Sequence, residues 1–364
     1  MKILITAQYI DSIIGGAEQS LLTLAELLSK KHSVKFFNYS NNNVITEQIY
    51  NWTTPKLLKR IHIPQKLKFL LDYHYSIKQL RKLINQLSPD IIISQKPPIP
   101  YCLNLNNSCP VIVRVEDLEY ITFFFHSEDK TPKGRVNFFL EKLIGKKIIS
   151  ELKHADLVIA NSIYVSNKLK EKGISAEFIY PFMKLENYIT TRKEPKYITF
   201  ISGCLYPHKG FLILTEIAKN MPYAKFLAIG QDPNNMIKTA PKNIEWWGWV
   251  DDMKKVYSQT MILIVPSIIE EAFGRVVVEA QVNGIPVVAS KVGGLPESVG
   301  NGGILIDDYK NPNAWVKTLK KLLNSNKLLK ELSIAALEHS RNFDIEISYN
   351  KFKNLVKKKL GIEL

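Results

Sequence analysis

Residues 261–297 read MILIVPSIIEEAFGRVVVEAQVNGIPVVASKVGGLPE. The opening run MILIV (261–265) is far too short to cross a membrane and has the length of a strand buried on both faces. Pro266 ends it, so residues 266–275 form the loop at that strand's carboxyl end. Val276, Val277 and Ala280 then follow at helical spacing until Gly284 stops them. PVVAS (286–290) is a second apolar run, and Gly293-Gly294 with Pro296 turn the chain into a short helix. Strand, loop, helix, strand, turn and helix form the repeating unit of a doubly wound parallel sheet.

The same alternation extends outward in both directions. YITFIS (197–202), AKFLAI (224–229) and ILI (304–306) complete a C-terminal set of strands. KILITA (2–7), VKFF (34–37), DIIIS (90–94), VIVRV (111–115) and LVIA (157–160) form an N-terminal set. Between them lie amphipathic stretches, such as residues 17–29 with Leu21, Leu24, Ala25 and Leu28 on one face. Two such series predict an α/β protein of two doubly wound, Rossmann-like domains facing across a cleft. The expected boundaries are 1–181 for the first domain, 182–196 for a polar linker and 197–345 for the second domain. A last helix, 346–364, is expected to pack back towards the first.

At 364 residues, with 46% apolar and 23% charged residues, the chain can bury two cores of ordinary size. Residues 3–5 are apolar but Thr6 and Gln8 interrupt them, which leaves no secretory h-region. Cys102, Cys109 and Cys204 are odd in number and lack metal spacing, as expected of free thiols in a reducing cytoplasm. A net charge of +15 calls for an anionic partner. No helix-turn-helix, zinc-finger or RNP-like string is present, which points away from nucleic acid and leaves anionic lipid surfaces or phosphorylated substrates. Residues 56–82 concentrate the charge, with Lys56, Lys59, Arg60, Lys66, Lys68, Lys78, Arg81 and Lys82 against Asp72 alone. Leu70, Tyr73, Ile77, Leu80, Ile84 and Leu87 recur there at helical spacing. This is either a helix lying on an anionic membrane or a core-packed helix with a wet basic face. FFFH (123–126) reads first as core packing and is also compatible with a lipid-linked acceptor.

The polar residues with chemical potential sit at strand ends. Glu271 lies in the loop after MILIV, and Glu279 lies eight positions on, inside the helix. The helix start at Gly274 and Arg275 offers backbone N–H groups to an anion or a hydroxyl. FISGCLYPHKG (200–210) reads as a strand, a turn at Gly203, and Lys209-Gly210 opening a helix. A lysine there opposes the helix dipole unless an anion joins it. Taken singly, each piece has a plain structural reading as a dipole partner, a turn or a solvated lysine. In the first half, DSIIGGAEQS (11–20) places Gly15-Gly16 ahead of a helix without a G-x-G-x-x-G fingerprint. VIVRVEDLEY (111–120) ends its strand at Arg114-Val115, followed by Glu116 and Asp117, and Asn161-Ser162 cap a later helix.

In this order the elements resemble the signature of retaining glycosyltransferases of the GT-B fold, in the family 4, group 1 set. The matching positions are Pro266, Ser267, Glu271, Phe273, Gly274, Glu279, Gly284, Pro286, Gly293, Gly294, Pro296 and Glu297. The resemblance implies that Glu279 holds the ribose hydroxyls of a nucleotide. It implies that Glu271 and the backbone around Phe273, Gly274 and Arg275 hold the donor sugar, and that Lys209, in the element containing Gly203, clamps the diphosphate. Cys204 stands where the family carries an Arg. The loop of Gly15 and Gly16 is implied to close on the donor phosphates and the acceptor. Glu116 stands where members carry a His close to the reacting sugar, which makes it a catalytic candidate. The implied reaction moves a hexose-type sugar from a nucleoside diphosphate to a hydroxyl of a glycan or lipid-linked acceptor. No cofactor is implied, and no metal, because no D-x-D string occurs. Alternatives are a nucleotide-sugar epimerase and a non-catalytic nucleotide-sugar-binding partner. The expected location is cytoplasmic, at the inner face of a membrane if lipid surfaces are involved.

Overall fold

The computed structural model describes residues 1–7, 15–38, 49–51, 79–95, 109–117, 132–192 and 194–364. The chain divides into two compact units, Met1–Phe182 with Ser348–Leu364, and Met183–Ile347.

Unit 1 contains strands β1 (Lys2–Ala7), β2 (Ser33–Asn38), β3 (Ile49–Asn51), β4 (Ile91–Gln95), β5 (Val111–Val115), β6 (Leu157–Ala160) and β7 (Glu177–Phe178). They form one sheet in the order β3-β2-β1-β4-β5-β6-β7, and every pairing is parallel. Ile3, Leu4, Ile5, Ile91, Ile93, Ile112 and Ile159 are buried, as strands covered on both faces require. Its helices are α1 (Gly16–Ser29), α2 (residues 79–87), α3 (Pro132–Leu152) and α4 (Ile163–Glu171). The Ser162 side chain accepts a hydrogen bond from the Val165 N–H and caps α4.

Unit 2 contains β8 (Tyr197–Cys204), α5 (Phe211–Lys219), β9 (Phe226–Gln231), β10 (Ile244–Gly248), α6 (Met253–Gln259), β11 (Thr260–Val265), α7 (Arg275–Gln281), β12 (Val287–Ser290), α8 (Leu295–Val299), β13 (Gly303–Ile306), α9 (Pro312–Leu323) and α10 (Asn326–Ser340). The parallel sheet runs β10-β9-β8-β11-β12-β13. One face packs Phe200, Phe211, Phe226 and Trp315 together, and the other packs Val277, Ala280, Val287 and Leu295. The last helix, α11 (Ile345–Leu360), supplies unit 1 with its residues from Ser348 on. There Phe352 is fully buried, edge-on to Phe182 with ring centroids 5.9 Å apart.

Three strands escape the sequence reading. β3 and β7 are short, and β10 is an edge strand whose sequence IEWWG exposes Glu245 and Trp246. β8 runs on through Gly203 to Cys204, so Gly203 is strand and not turn. A 3₁₀ turn, Pro207–Lys209, follows, and α5 starts only after Gly210. The stretch 182–196 has firm attachments. The Phe182 N–H donates to Ser20 Oγ at 3.0 Å within unit 1. Farther on, Arg192 donates to the carbonyls of Asn283, Gly284 and Thr260 within unit 2.

Trp315 is fully buried and donates from Nε1 to the Tyr309 carbonyl at 2.9 Å. Trp315→Ala is expected to destabilise unit 2 by about 3–5 kcal/mol through the cavity and the lost bond, and Trp315→Phe by less. Urea unfolding of both variants checks the order. Equal losses would mean that the indole volume does not support the core.

Candidate functional site

The strand order of unit 2 reverses between β8 and β11, the switch point where ligands of doubly wound sheets bind. Lys209 lies in the loop after β8, and Glu271 in the loop after β11. Their side chains meet, with Lys209 Nζ 2.8 Å from Glu271 Oε1. Ser267 donates to the same carboxylate oxygen at 2.9 Å. Backbone contacts hold the two loops together. The Ile268 N–H donates to the His208 carbonyl at 2.9 Å. Gly210 (φ +88°) passes so close to Pro266 that a Cβ there would sit 1.8 Å from the Pro266 oxygen. On the other side, the Gly294 N–H donates to the Glu271 carbonyl at 2.7 Å. A Cβ on Gly293 (φ +62°) would lie 2.3 Å from that oxygen. Only glycine fits both places.

Burial works to raise the Glu271 carboxyl pKa. The Lys209 charge, with the hydrogen bonds from Lys209 and Ser267, outweighs burial and holds it below the ordinary value. His208 is pushed down by burial and by the neighbouring Lys209 charge, against a smaller pull from Glu271. Its ring stacks on Tyr206 with centroids 5.0 Å apart.

Glu279 lies one helix further on, in α7, with a side chain only 8% exposed. Tyr257 donates to its Oε2 at 2.8 Å, and Arg275 Nε lies 3.6 Å from its Oε1. Arg275 also donates to Tyr188 Oη at 3.3 Å. Burial and the Glu279 charge push the Tyr188 phenol up to about 12 and the Tyr257 phenol well above its ordinary value. Both therefore stay protonated as donors. Asn283 ties residues 188–190 to α7: its Nδ2 donates to the Tyr188 and Glu279 carbonyls, and its Oδ1 accepts from the Thr190 N–H.

The sequence candidates thus separate. Lys209 and Glu271 form one pair, and Glu279 with Arg275 forms a second cluster joined by Tyr188 and Tyr257. Phe273 is a core residue, 2% exposed and edge-on to Phe343 at 5.3 Å, so only its backbone is placed to meet a ligand. Gly274 (φ +94°) is the N-cap of α7. Gly203 is exposed in β8 with open space around it. In unit 1, Gly15 caps α1 and its carbonyl accepts from the Gln19 N–H, and Gly16 is the first helical residue. Residues 11–14, 56–78 and 123–126 lie outside the described residues. Of the basic segment, Arg81 and Lys82 are exposed on α2, while Leu80, Leu83 and Ile84 are buried.

Glu116 follows directly on β5. Its side chain is 1% exposed and ion-paired with the equally buried Arg114. Ser20 donates to it at 3.3 Å, Arg114 donates to Ser20 Oγ at 2.9 Å, and the Arg114 guanidinium lies 4.7 Å from the Phe182 ring centre. These contacts tie the end of β5 to α1. Among the described residues, no three His, Cys, Asp or Glu side chains gather closely enough to hold a metal ion.

Two family models match the chain: Glycosyltransferase Family 4 over residues 14–187 and Glycosyl transferases group 1 over residues 185–339. The D-inositol 3-phosphate glycosyltransferase of Corynebacterium diphtheriae is 36% identical over 107 residues, which cover 29% of this chain and 25% of that protein. The match therefore spans about a quarter of that relative's length. Among solved structures, sucrose-phosphate synthase from Thermosynechococcus elongatus superposes with a TM-score of 0.81 at 18% identity, covering 99% of both chains. Anabaena HepE in complex with UDP-glucose gives 0.74 at 17% identity, covering 98% of this chain and all of the other. At such identities these two likenesses show the fold.

The Lys209–Glu271 pair predicts a pH signature. The folded value of Glu271 lies below the ordinary 4.5, so its stabilisation is complete above 4.5 and is lost as pH falls through the depressed value. The side chains are 32% and 19% exposed, and solvent screening limits the contribution to about 1 kcal/mol. Glu271→Gln should unfold at lower urea than the wild type at neutral pH, with the gap closing in acid. A gap that persists in acid would contradict an ionic pair.

Proposed function

The chain belongs to the family 4, group 1 glycosyltransferases and has their GT-B fold, and from that premise we propose that it moves a hexose-type sugar from a nucleoside diphosphate to a hydroxyl with retention at the anomeric carbon. The acceptor in this reading is a glycan or a lipid-linked glycan, met at the cytoplasmic face of a membrane. The observation that carries the proposal is the meeting of Lys209 and Glu271 at the switch point of unit 2, with Glu279 poised in the next helix.

The roles follow from the charges. A departing diphosphate gains negative charge as the glycosidic bond breaks, and an ammonium fixed beside it stabilises that charge. Lys209 serves as this cation. Its present counter-ion, Glu271, is then released to accept hydrogen bonds from sugar hydroxyls, while Ser267 keeps the carboxylate aimed. Glu279 accepts from the two ribose hydroxyls. Its orientation is set before the ligand arrives, because Tyr257 and Arg275 already hold its oxygens. Cys204 cannot supply a bidentate phosphate contact, and Arg275 is already engaged with Glu279 and Tyr188, so Lys209 carries the phosphate charge. The HepE complex makes UDP-glucose the first donor to test.

A thermal-shift screen of nucleotide sugars followed by a transfer assay tests the reading, since donor at about 100 times its Kd raises stability by about 2.7 kcal/mol. Glu279→Ala should weaken nucleoside diphosphate binding by about one to two orders of magnitude, as expected for two charge-assisted hydrogen bonds. Glu271→Ala should leave that affinity in place and impair only binding and turnover of the intact sugar nucleotide. Lys209→Ala should lower turnover by about 10²–10³. EDTA should leave transfer unchanged, and loss restored by manganese would contradict a metal-free mechanism. An unchanged nucleotide Kd in Glu279→Ala would remove that residue from the site.

A further inference from the structure

The charge of the chain is unevenly divided. Unit 1 holds 29 Lys and Arg against 17 Asp and Glu, whereas unit 2 holds 20 against 17. Unit 1 therefore accounts for +12 of the net +15. Part of this excess is gathered on one helix.

α3 buries Ile144, Ile148 and Leu152. At about 100° per residue these three centre on one side of the helix. The opposite side carries Phe139 and Leu143, one turn apart, exposed by 60% and 46%. These are large apolar groups exposed on the side opposite Ile144, Ile148 and Leu152. Arg135, Lys142 and Lys146 are exposed along one flank of the pair, and Lys147 along the other. No acidic residue occupies positions 135, 139, 142, 143, 146, 147 or 150. The face extends about 18 Å along the helix axis. Among the described residues, no helix is long and apolar enough to cross a membrane.

We propose that this face of α3 docks flat on an anionic lipid surface, with Phe139 and Leu143 entering the headgroup boundary and Arg135, Lys142, Lys146 and Lys147 meeting lipid phosphates. An apolar centre flanked by cations matches the layering of such an interface. Rings and aliphatic groups leave water there, while the long basic side chains reach back to the charged plane. A neutral apolar partner would offer these basic side chains no anionic group, and an acidic protein surface would match them but not two adjacent large apolar groups. The proposal rests on the lipid-linked acceptor reading above, to which it adds the surface that brings unit 1 to its acceptor.

The test is sedimentation of the intact protein with vesicles of phosphatidylcholine alone or mixed with phosphatidylglycerol, at low and at high salt. The wild type should bind the mixed vesicles at low salt, release them as salt shortens the Debye length, and ignore phosphatidylcholine. One variant carries Arg135→Gln, Lys142→Gln and Lys146→Gln. Each basic residue at an anionic surface is worth about fivefold, so its partitioning should fall about a hundredfold. The other, Phe139→Ser with Leu143→Ser, should lose the binding that resists moderate salt. All five positions are exposed and outside the donor site, so melting temperature and UDP-glucose binding should stay at wild-type values. Wild type that stays in solution with anionic vesicles at low salt overturns the proposal, as does equal binding by both variants. So does a wild-type dimer that the Phe139/Leu143 variant converts to monomer without change in vesicle binding, since a second copy would then cover the face. Vesicle binding without binding of any nucleotide sugar would instead count against the proposed function and leave this surface standing.

Discussion

An ammonium and a carboxylate held 2.8 Å apart, where the strand order of unit 2 reverses, organise the structure around them. A partly exposed ion pair of this kind adds little to stability. Its value lies in being separable. Both side chains are partly desolvated, and each compensates the other's charge. The backbone is bent to make the pair possible. Gly210 lets the β8 loop lie against the Pro266 carbonyl, and Gly293 lets the α8 turn lie against Glu271. Side chains at either place would push apart the loops that carry the two charges.

The second carboxylate is organised differently. Glu279 is buried and would be costly to leave charged without partners. Its partners come from three separate stretches: Tyr257 from α6, Arg275 one turn back on α7, and Tyr188 from the chain entering unit 2. Asn283 then ties that entering chain to the end of α7. The orientation of Glu279 is therefore set partly by residues 188–190, which the sequence presents only as polar linker. A carboxylate preset in this way loses little freedom when a diol arrives, and this is how binding groups on rigid elements gain affinity.

Much of this was legible in the sequence because it follows from short-range rules. Continuous apolar runs gave the buried parallel strands, and the loop residues after β11 and β12 carried the motif. What was missed follows physical lines. β10 hides because an edge strand need not be apolar, and IEWWG shows neither a continuous run nor a clean alternation. Tyr188 and Tyr257 lie 87 and 22 positions from the residues they bond, and no local pattern marks them. Glu116 is a different case. In an extended chain, residues two apart share a face, so Arg114 and Glu116 were already placed to meet. That parity signal for a buried pair was available in the sequence.

The uneven charge of the two units also bears on how an anion is recognised. Unit 2 carries the predicted donor site with a net charge of only +3. A nucleoside diphosphate does not need a basic domain when one lysine is fixed at the right strand end, because local geometry outweighs a screened distant field. The excess of unit 1 therefore has no evident task in donor chemistry. On α3, Arg135, Lys142, Lys146 and Lys147 are exposed on the side away from the buried Ile144, Ile148 and Leu152. A charge so placed acts on what approaches from solution, and the exposed ring and aliphatic chain at its centre restrict that to a surface with its own apolar layer.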